Sequence, residues 1–208
     1  MQNGDFVRLA YTGKIKETGQ IFDKAEDAPV IVGGGYLLPA IDSHLESLTI
    51  GHKKSVEIAP NDAFGQRDSK LIKIVPEAEF KKRDVHPVPG MPIEADDMRG
   101  RVTAVTSGRV TLDFNHPLAG KVLAFDLEVK SKIENTEDKI KAVAEFYCRT
   151  PADKLKCKAD GKEVELELPP AIHSVFKKKI ADDLIKWLGF TKVKFVEIFE
   201  KQKESKEL

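Results

Sequence analysis

The chain has 208 residues, with 34 Lys+Arg against 34 Asp+Glu, a net charge of zero and a sequence pI near 7.0. That balance gives no electrostatic reason for a nucleic-acid or anionic-membrane partner. The length suits one main domain with one or two small ones, and a mean hydropathy of −0.33 suits a water-soluble globular chain.

Residues Phe6–Tyr11 alternate apolar and polar, the pattern of a half-buried strand. Thr18-Gly19 is a turn signal, Ile21–Asp23 starts a second strand, and Pro29–Val32 reads as another short one ended by Gly33, Gly34 and Gly35. The glycine run is expected to be a flexible turn rather than a phosphate cradle, because no dinucleotide or P-loop pattern surrounds it. Apolar residues at 41, 45 and 48 are at helical spacing over Leu38–Leu48, with Pro39 in the first turn and Gly51 as the stop. Lys54–Ile58 alternates again.

Near residue 70 the character changes. Leu71–Val75 is strand-like, Glu77–Lys82 a helical turn, and His86–Pro92 a proline-rich loop. Arg101–Val105 and Arg109–Phe114 form a hairpin around Thr106-Ser107-Gly108. Val122–Lys130 then returns as a strong strand, so a small β module interrupts a larger β domain. Ser131–Thr136 reads as a linker, and Thr136 as the cap of a helix to Tyr147. Asp160-Gly161 marks a hairpin between Leu155–Lys158 and Glu163–Leu168. Pro170 opens a helix ended by Gly189, and Lys192–Phe199 is a final strand before a charged, frayed tail. This last region reads αββαβ.

The motifs of common enzymes are missing: no GxSxG, no HExxH, no P-loop. Cys148 and Cys157 form no CxxC and the five histidines are scattered, so neither a metal site nor a disulfide framework is expected, which leaves a single Cys148–Cys157 bridge as the alternative to two free thiols. A reducing, cytoplasmic setting follows, consistent with an N-terminus that lacks a basic stretch followed by an apolar run, and no stretch is apolar for long enough to span a membrane. What stands out is a set of apolar residues at turns. Taken singly, Tyr11, Phe22 and Phe125 are ordinary strand aromatics and Asp23 an ordinary turn carboxylate.

Three segments change that reading: LAYTGKIKETGQIFD at 9–23, GGYLLPAIDSHLESLTIGHKKSVEIAPNDAFG at 34–65, and VLAFDLEV at 122–129. In content and order they resemble the FKBP family of peptidyl-prolyl cis/trans isomerases. The β module between Gly65 and Lys121, flanked by GQRD at 65–68 and NHPLAG at 115–120, resembles the insert-in-flap domain of the SlyD-like and archaeal long-type branch. The implied fold is α+β: an antiparallel half-barrel around a short helix (residues 1–70 and 115–132), an inserted β-rich domain (71–114) and a C-terminal α+β domain (133–208).

The resemblance also implies roles. Tyr11, Phe22, Val32, Leu37, Leu38, Ile41, Phe64 and Phe125 line a prolyl pocket, Leu38 offers its N–H to a substrate carbonyl, and Asp23 orients the pocket and polarises the imide. No cofactor or metal is implied, since the His- and Cys-rich tail of SlyD is absent. Ile41 stands where many members have tryptophan. Phe64 replaces a tyrosine, and the missing hydroxyl removes one donor to substrate, a loss of about 1 kcal/mol.

The implied partners are unfolded, proline-containing polypeptides. In the insert, Val88, Met91, Ile93, Met98 and Val102 form either its small core or an apolar groove for such clients. The broad apolar stripe of the last helix, with Phe176, Ile180, Leu184 and Trp187, packs on its own sheet or makes a homodimer contact. The alternative function is a non-catalytic holdase on the same scaffold, for which Phe64 is the best support.

Overall fold

The computed structural model describes residues 1–95, 97–170 and 172–198. They form two compact units, one of residues 1–13, 23–56 and the described residues from 125 onward, the other of residues 14–22 and 57–124. The fold class is α+β, as expected. Among the described residues no helix is long and apolar enough to cross a membrane.

The first sheet has four strands in the order β2-β1-β8-β3, where β1 is Phe6–Ile15, β2 Ile21–Ile31, β3 Lys53–Ile58 and β8 Leu123–Lys132. In β1, Val7 and Leu9 are buried, and in β8, Leu123, Phe125, Leu127 and Val129 are, so one face of each strand supplies the core. Alternation suggested two strands around a polar gap at 24–28, whereas β2 is continuous. Its middle is mostly exposed because β2 lies at the sheet edge, where backbone bonds hold a strand that has little apolar surface to hide.

The helix that follows, α1 (Pro39–Leu45), is shorter than expected. Leu48 is still buried, but the chain from 46 to 48 tightens into i to i−3 bonds, Ser47 N–H to His44 O and Leu48 N–H to Leu45 O. The glycine run before it is closely built rather than a loose turn. A Cβ on Gly34 would lie 2.9 Å from the Ile31 carbonyl oxygen and 2.8 Å from Tyr36 Cδ2, and Gly33 has φ +73°.

The second unit carries its own antiparallel sheet, β4-β7-β6-β5, formed by β4 (Ile72–Pro76), β5 (Pro92–Ala95), β6 (Met98–Thr106) and β7 (Arg109–Asp113), with α2 (Glu77–Lys81) after β4. The β6–β7 hairpin falls where expected. The edge strand β5 was not, because four residues that begin with a proline are too short a run to carry a periodic signal. Val102, Val110, Leu112 and Phe114 form the buried core of this sheet.

In the C-terminal region β8 runs through the expected linker to Lys132, and the Ile133 N–H bonds the Phe6 carbonyl at 2.7 Å. Helix α3 (Thr136–Cys148) is capped by Asn135, not Thr136. The Asn135 side chain accepts from the Glu137 and Asp138 N–H groups, and Thr136 becomes the first helical residue. Strands β9 (Lys156–Asp160) and β10 (Glu163–Leu168) make the expected hairpin, and β11 (Lys192–Glu197) pairs parallel to β10. Between them α4 (Ser174–Leu188) is the crossover that a parallel pair requires. It begins after His173, whose Nδ1 accepts from the Val175 N–H, rather than at Pro170. Phe199 and the tail from Glu200 lie outside the described residues.

Candidate active site

Seven of the nine expected pocket residues belong to the first unit. Tyr11 on β1 and Asp23 on β2 face one another across neighbouring strands, and the Tyr11 hydroxyl donates to Asp23 Oδ2 at 3.0 Å. Burial, then the Asp23 charge and this hydrogen bond, push the Tyr11 hydroxyl up to about 12, with the Arg149 cation acting in the opposite sense. Tyr11 is therefore a hydrogen-bond donor throughout the physiological range.

Val32, Ile41 and Phe125 are buried, whereas Tyr11, Leu37 and Leu38 keep part of their surface accessible. Leu38 is the N-cap of α1, where Pro39 suits the first turn because its missing N–H costs nothing there. The Leu38 carbonyl accepts from the Ile41 N–H, and its own N–H has no acceptor among the described residues.

Phe22 and Phe64 belong to the second unit, and both are half-buried. Phe64 stacks on His116, with ring centroids 4.1 Å apart and planes 5° from parallel. From sequence alone His116, which precedes Pro117, is an ordinary solvated loop residue.

Two further residues went unnoticed in the sequence. Asp42, in the first turn of α1, accepts the Gly35 N–H at 3.2 Å. Burial raises its carboxyl above the usual range against the opposing backbone bonds from Gly35 and Gly33. Tyr36, just before Leu37, donates to Asp183 at 2.7 Å. Their partners are set by tertiary structure, and no spacing rule reveals them.

An open cleft of about 320 Å³ is lined by Ala10, Tyr11 and Thr12 of β1 with residues of β2, β3 and β8, and Tyr11 is the one expected pocket residue in its lining. Its walls carry the ion pairs Lys24–Glu26 and Lys53–Glu128, a poor lining for a pyrrolidine ring.

In the insert a second cleft, of about 440 Å³, is lined by Val75, Phe80, Val85, Met91, Ile93 and Leu112, with Glu79, Arg83 and Glu94 at its sides. Of the five insert residues singled out in the sequence, Met91 and Ile93 line this cleft. Met98 packs on the core, Val102 lies wholly inside it at 0% exposure, and Val88 is 57% exposed outside the cleft lining. Among the described residues no cluster of His, Cys, Asp or Glu could hold a metal ion.

The chain matches three family models: FKBP-type peptidyl-prolyl cis-trans isomerase over residues 1–90, the FKBP26 IF domain over 73–118 and the FKBP26 C-terminal region over 136–200. It is 34% identical over 145 residues to a short-type peptidyl-prolyl cis-trans isomerase of Methanocaldococcus jannaschii, covering 62% of this chain and 92% of that one. It belongs to the FKBP-type peptidyl-prolyl cis-trans isomerase family.

A probable FKBP-type 16 kDa peptidyl-prolyl cis-trans isomerase of Pseudomonas fluorescens is 39% identical over 134 residues, with 62% and 80% of the two chains covered. The isomerase SlyD of Escherichia coli is 34% identical over 140 residues, with 64% and 71% covered. The chain is thus an FKBP-type isomerase with an FKBP26-like insert and C-terminal region, and its family acts on proline-containing polypeptides.

Proposed function

We propose that X–Pro rotation is catalysed over the apolar surface formed by Tyr11, Val32, Leu37, Leu38, Ile41 and Phe125, with Asp23 orienting Tyr11. The reaction needs no acid, base or nucleophile. The barrier of ~18–20 kcal/mol comes from resonance in the C–N bond, which the twisted transition state loses. An apolar surface favours the less polar twisted imide over the planar one, which is differential binding of the transition state. The Leu38 N–H is supplied to a substrate carbonyl. The roles of Phe22 and Phe64 rest on the sequence resemblance.

The observation that carries this reading is the Tyr11–Asp23 hydrogen bond, made across neighbouring strands. Asp23 is exposed, so Asp23→Ala leaves the fold intact. The expected result is a fall of about tenfold in kcat/KM on a proline tetrapeptide, as one charge-assisted hydrogen bond warrants. Unchanged catalysis by a folded variant places the chemistry elsewhere, and no catalysis by the wild type hands the case to a holdase.

The insert cleft supports a chaperone role. Its apolar floor includes Met91, whose flexible thioether adapts to varied chains. The sequence resemblance, with an inserted sheet β4–β7 falling within residues 72–113, supports domain limits of 1–70 with 115–132, 71–114 and 133–208. We infer a reducing, cytoplasmic setting from the presence of only two cysteines, Cys148 and Cys157, in the sequence. Val175, Phe176 and Ile185, exposed on α4, support a homodimer contact, which light scattering of a monomer at high concentration would reject.

A further inference from the structure

The residue immediately before Leu37 is held from a distance. Tyr36 is 9% exposed, and its hydroxyl donates to Asp183 Oδ2 at 2.7 Å across 147 positions of sequence. Tyr147 donates to the same oxygen at 2.8 Å. The Tyr36 ring lies 4.3 Å from that of Phe146 and 5.8 Å from that of Tyr147, centroid to centroid. Phe146 and Tyr147 are on α3 and Asp183 is on α4, so two C-terminal helices grip one side chain of the loop that precedes α1.

The loop has little freedom to yield. Gly34 has no room for even a methyl group between Ile31 and Tyr36, and Asp42 holds the Gly35 N–H. With its ring and hydroxyl fixed on one side and its preceding backbone on the other, Tyr36 determines where Leu37 and Leu38 start. Burial first, and then the Asp183 bond and charge, push the Tyr36 ionisation far above its ordinary value, so the hydroxyl is a permanent donor near neutrality.

We infer that Asp183 is a positioning residue for the isomerase: by accepting both tyrosine hydroxyls it fixes the Tyr36–Leu38 segment, so the C-terminal helices shape the prolyl pocket. This rests on the reading that Leu37 and Leu38 line that pocket. It gives the C-terminal region a part in catalysis besides any part in assembly. Misplacement of a positioning element by about 1 Å can lower rates up to a hundredfold without removing a group that touches substrate.

The test uses the full-length protein, with kcat and KM measured on a proline tetrapeptide at a temperature where near-UV circular dichroism shows every variant folded. Asp183→Ala is expected to lower kcat/KM by about tenfold and to shift the amide resonances of Leu37 and Leu38. Asp183→Asn, which keeps an acceptor oxygen, stays within about threefold of wild type. Tyr36→Phe combined with Asp183→Ala is no worse than Asp183→Ala alone, because the Tyr36 hydroxyl has already lost its acceptor.

Wild-type catalysis and unmoved Leu37 and Leu38 amides in folded Asp183→Ala would overturn the inference. Titrating wild type with peptide separates the two readings. If the Leu37 and Leu38 amides do not respond to peptide, the pocket reading fails and takes this inference with it. If they respond but Asp183→Ala behaves as wild type, only the inference fails.

Discussion

Replacing Val102 with alanine tests what holds the insert together and what the insert does. Val102 is wholly buried in a core of four residues, with Val110, Leu112 and Phe114. Val→Ala removes two carbons, about 1.6 kcal/mol at ~0.8 kcal/mol per buried CH₂, and the cavity brings the loss to about 2–3 kcal/mol. A module with so small a core commands only about 3–5 kcal/mol. The substitution therefore raises the open population of the insert roughly 30- to 150-fold.

Native-state hydrogen exchange of amides in β6 and β7 should accelerate by that factor, with Tyr11, Asp23 and α1 amides unaffected. Catalysis on a tetrapeptide should remain within about twofold, while acceleration of proline-limited refolding of an unfolded protein falls sharply. Unchanged β6–β7 protection would refute the core assignment. A normal exchange pattern with weaker client binding would make Val102 a contact residue, and equal losses on both substrates would end the division of labour between cleft and pocket.

The three tyrosines of the chain, Tyr11, Tyr36 and Tyr147, all have hydroxyls pushed above the ordinary value of 10.0, in each case by burial first. The unfolded chain ionises near pH ~10 while the folded chain keeps its protons, so their contribution is intact below that pH and is lost as pH rises through the folded values. Denaturant midpoints should fall steeply from about pH 10 upward. Phenolate absorbance developing at the ordinary value in folded protein would contradict the three environments. Gly34→Ala forces a methyl group against the Ile31 carbonyl and the Tyr36 ring. It should cost about 1–3 kcal/mol in thermal unfolding and lower tetrapeptide catalysis, whereas normal stability and activity would mean that the loop is slack.

Much of this was legible in the chain because it is written locally. The β6–β7 and β9–β10 hairpins announce themselves by alternation around Ser107-Gly108 and Asp160-Gly161, and α1 by Pro39 with apolar residues at 41 and 45. Where local signals compete or vanish, sequence alone does not decide. Asn135 and Thr136 both suit a cap, and only the backbone geometry chooses between them. The polar middle of β2 hides a continuous strand. The site divides in the same way. Tyr11 and Asp23 lie in one continuous motif, whereas Tyr36 and Asp183 meet across most of the chain and carry no mark of it.

The two places where the chain passes into and out of the insert are pinned side by side. The Gly120 N–H bonds the Gly65 carbonyl at 2.8 Å, the Asp68 N–H bonds Asn115 Oδ1 at 2.8 Å, and the Asn115 amide returns to the Asp68 carbonyl at 2.9 Å. Arg67 and Asn115 close the same knot on buried Asp113. A module whose ends are already tied together asks nothing of its host's strand order. Evolution can therefore treat it as a cassette, acquired, exchanged or discarded at one point, and protein engineers can graft foreign binding modules onto the same two stems.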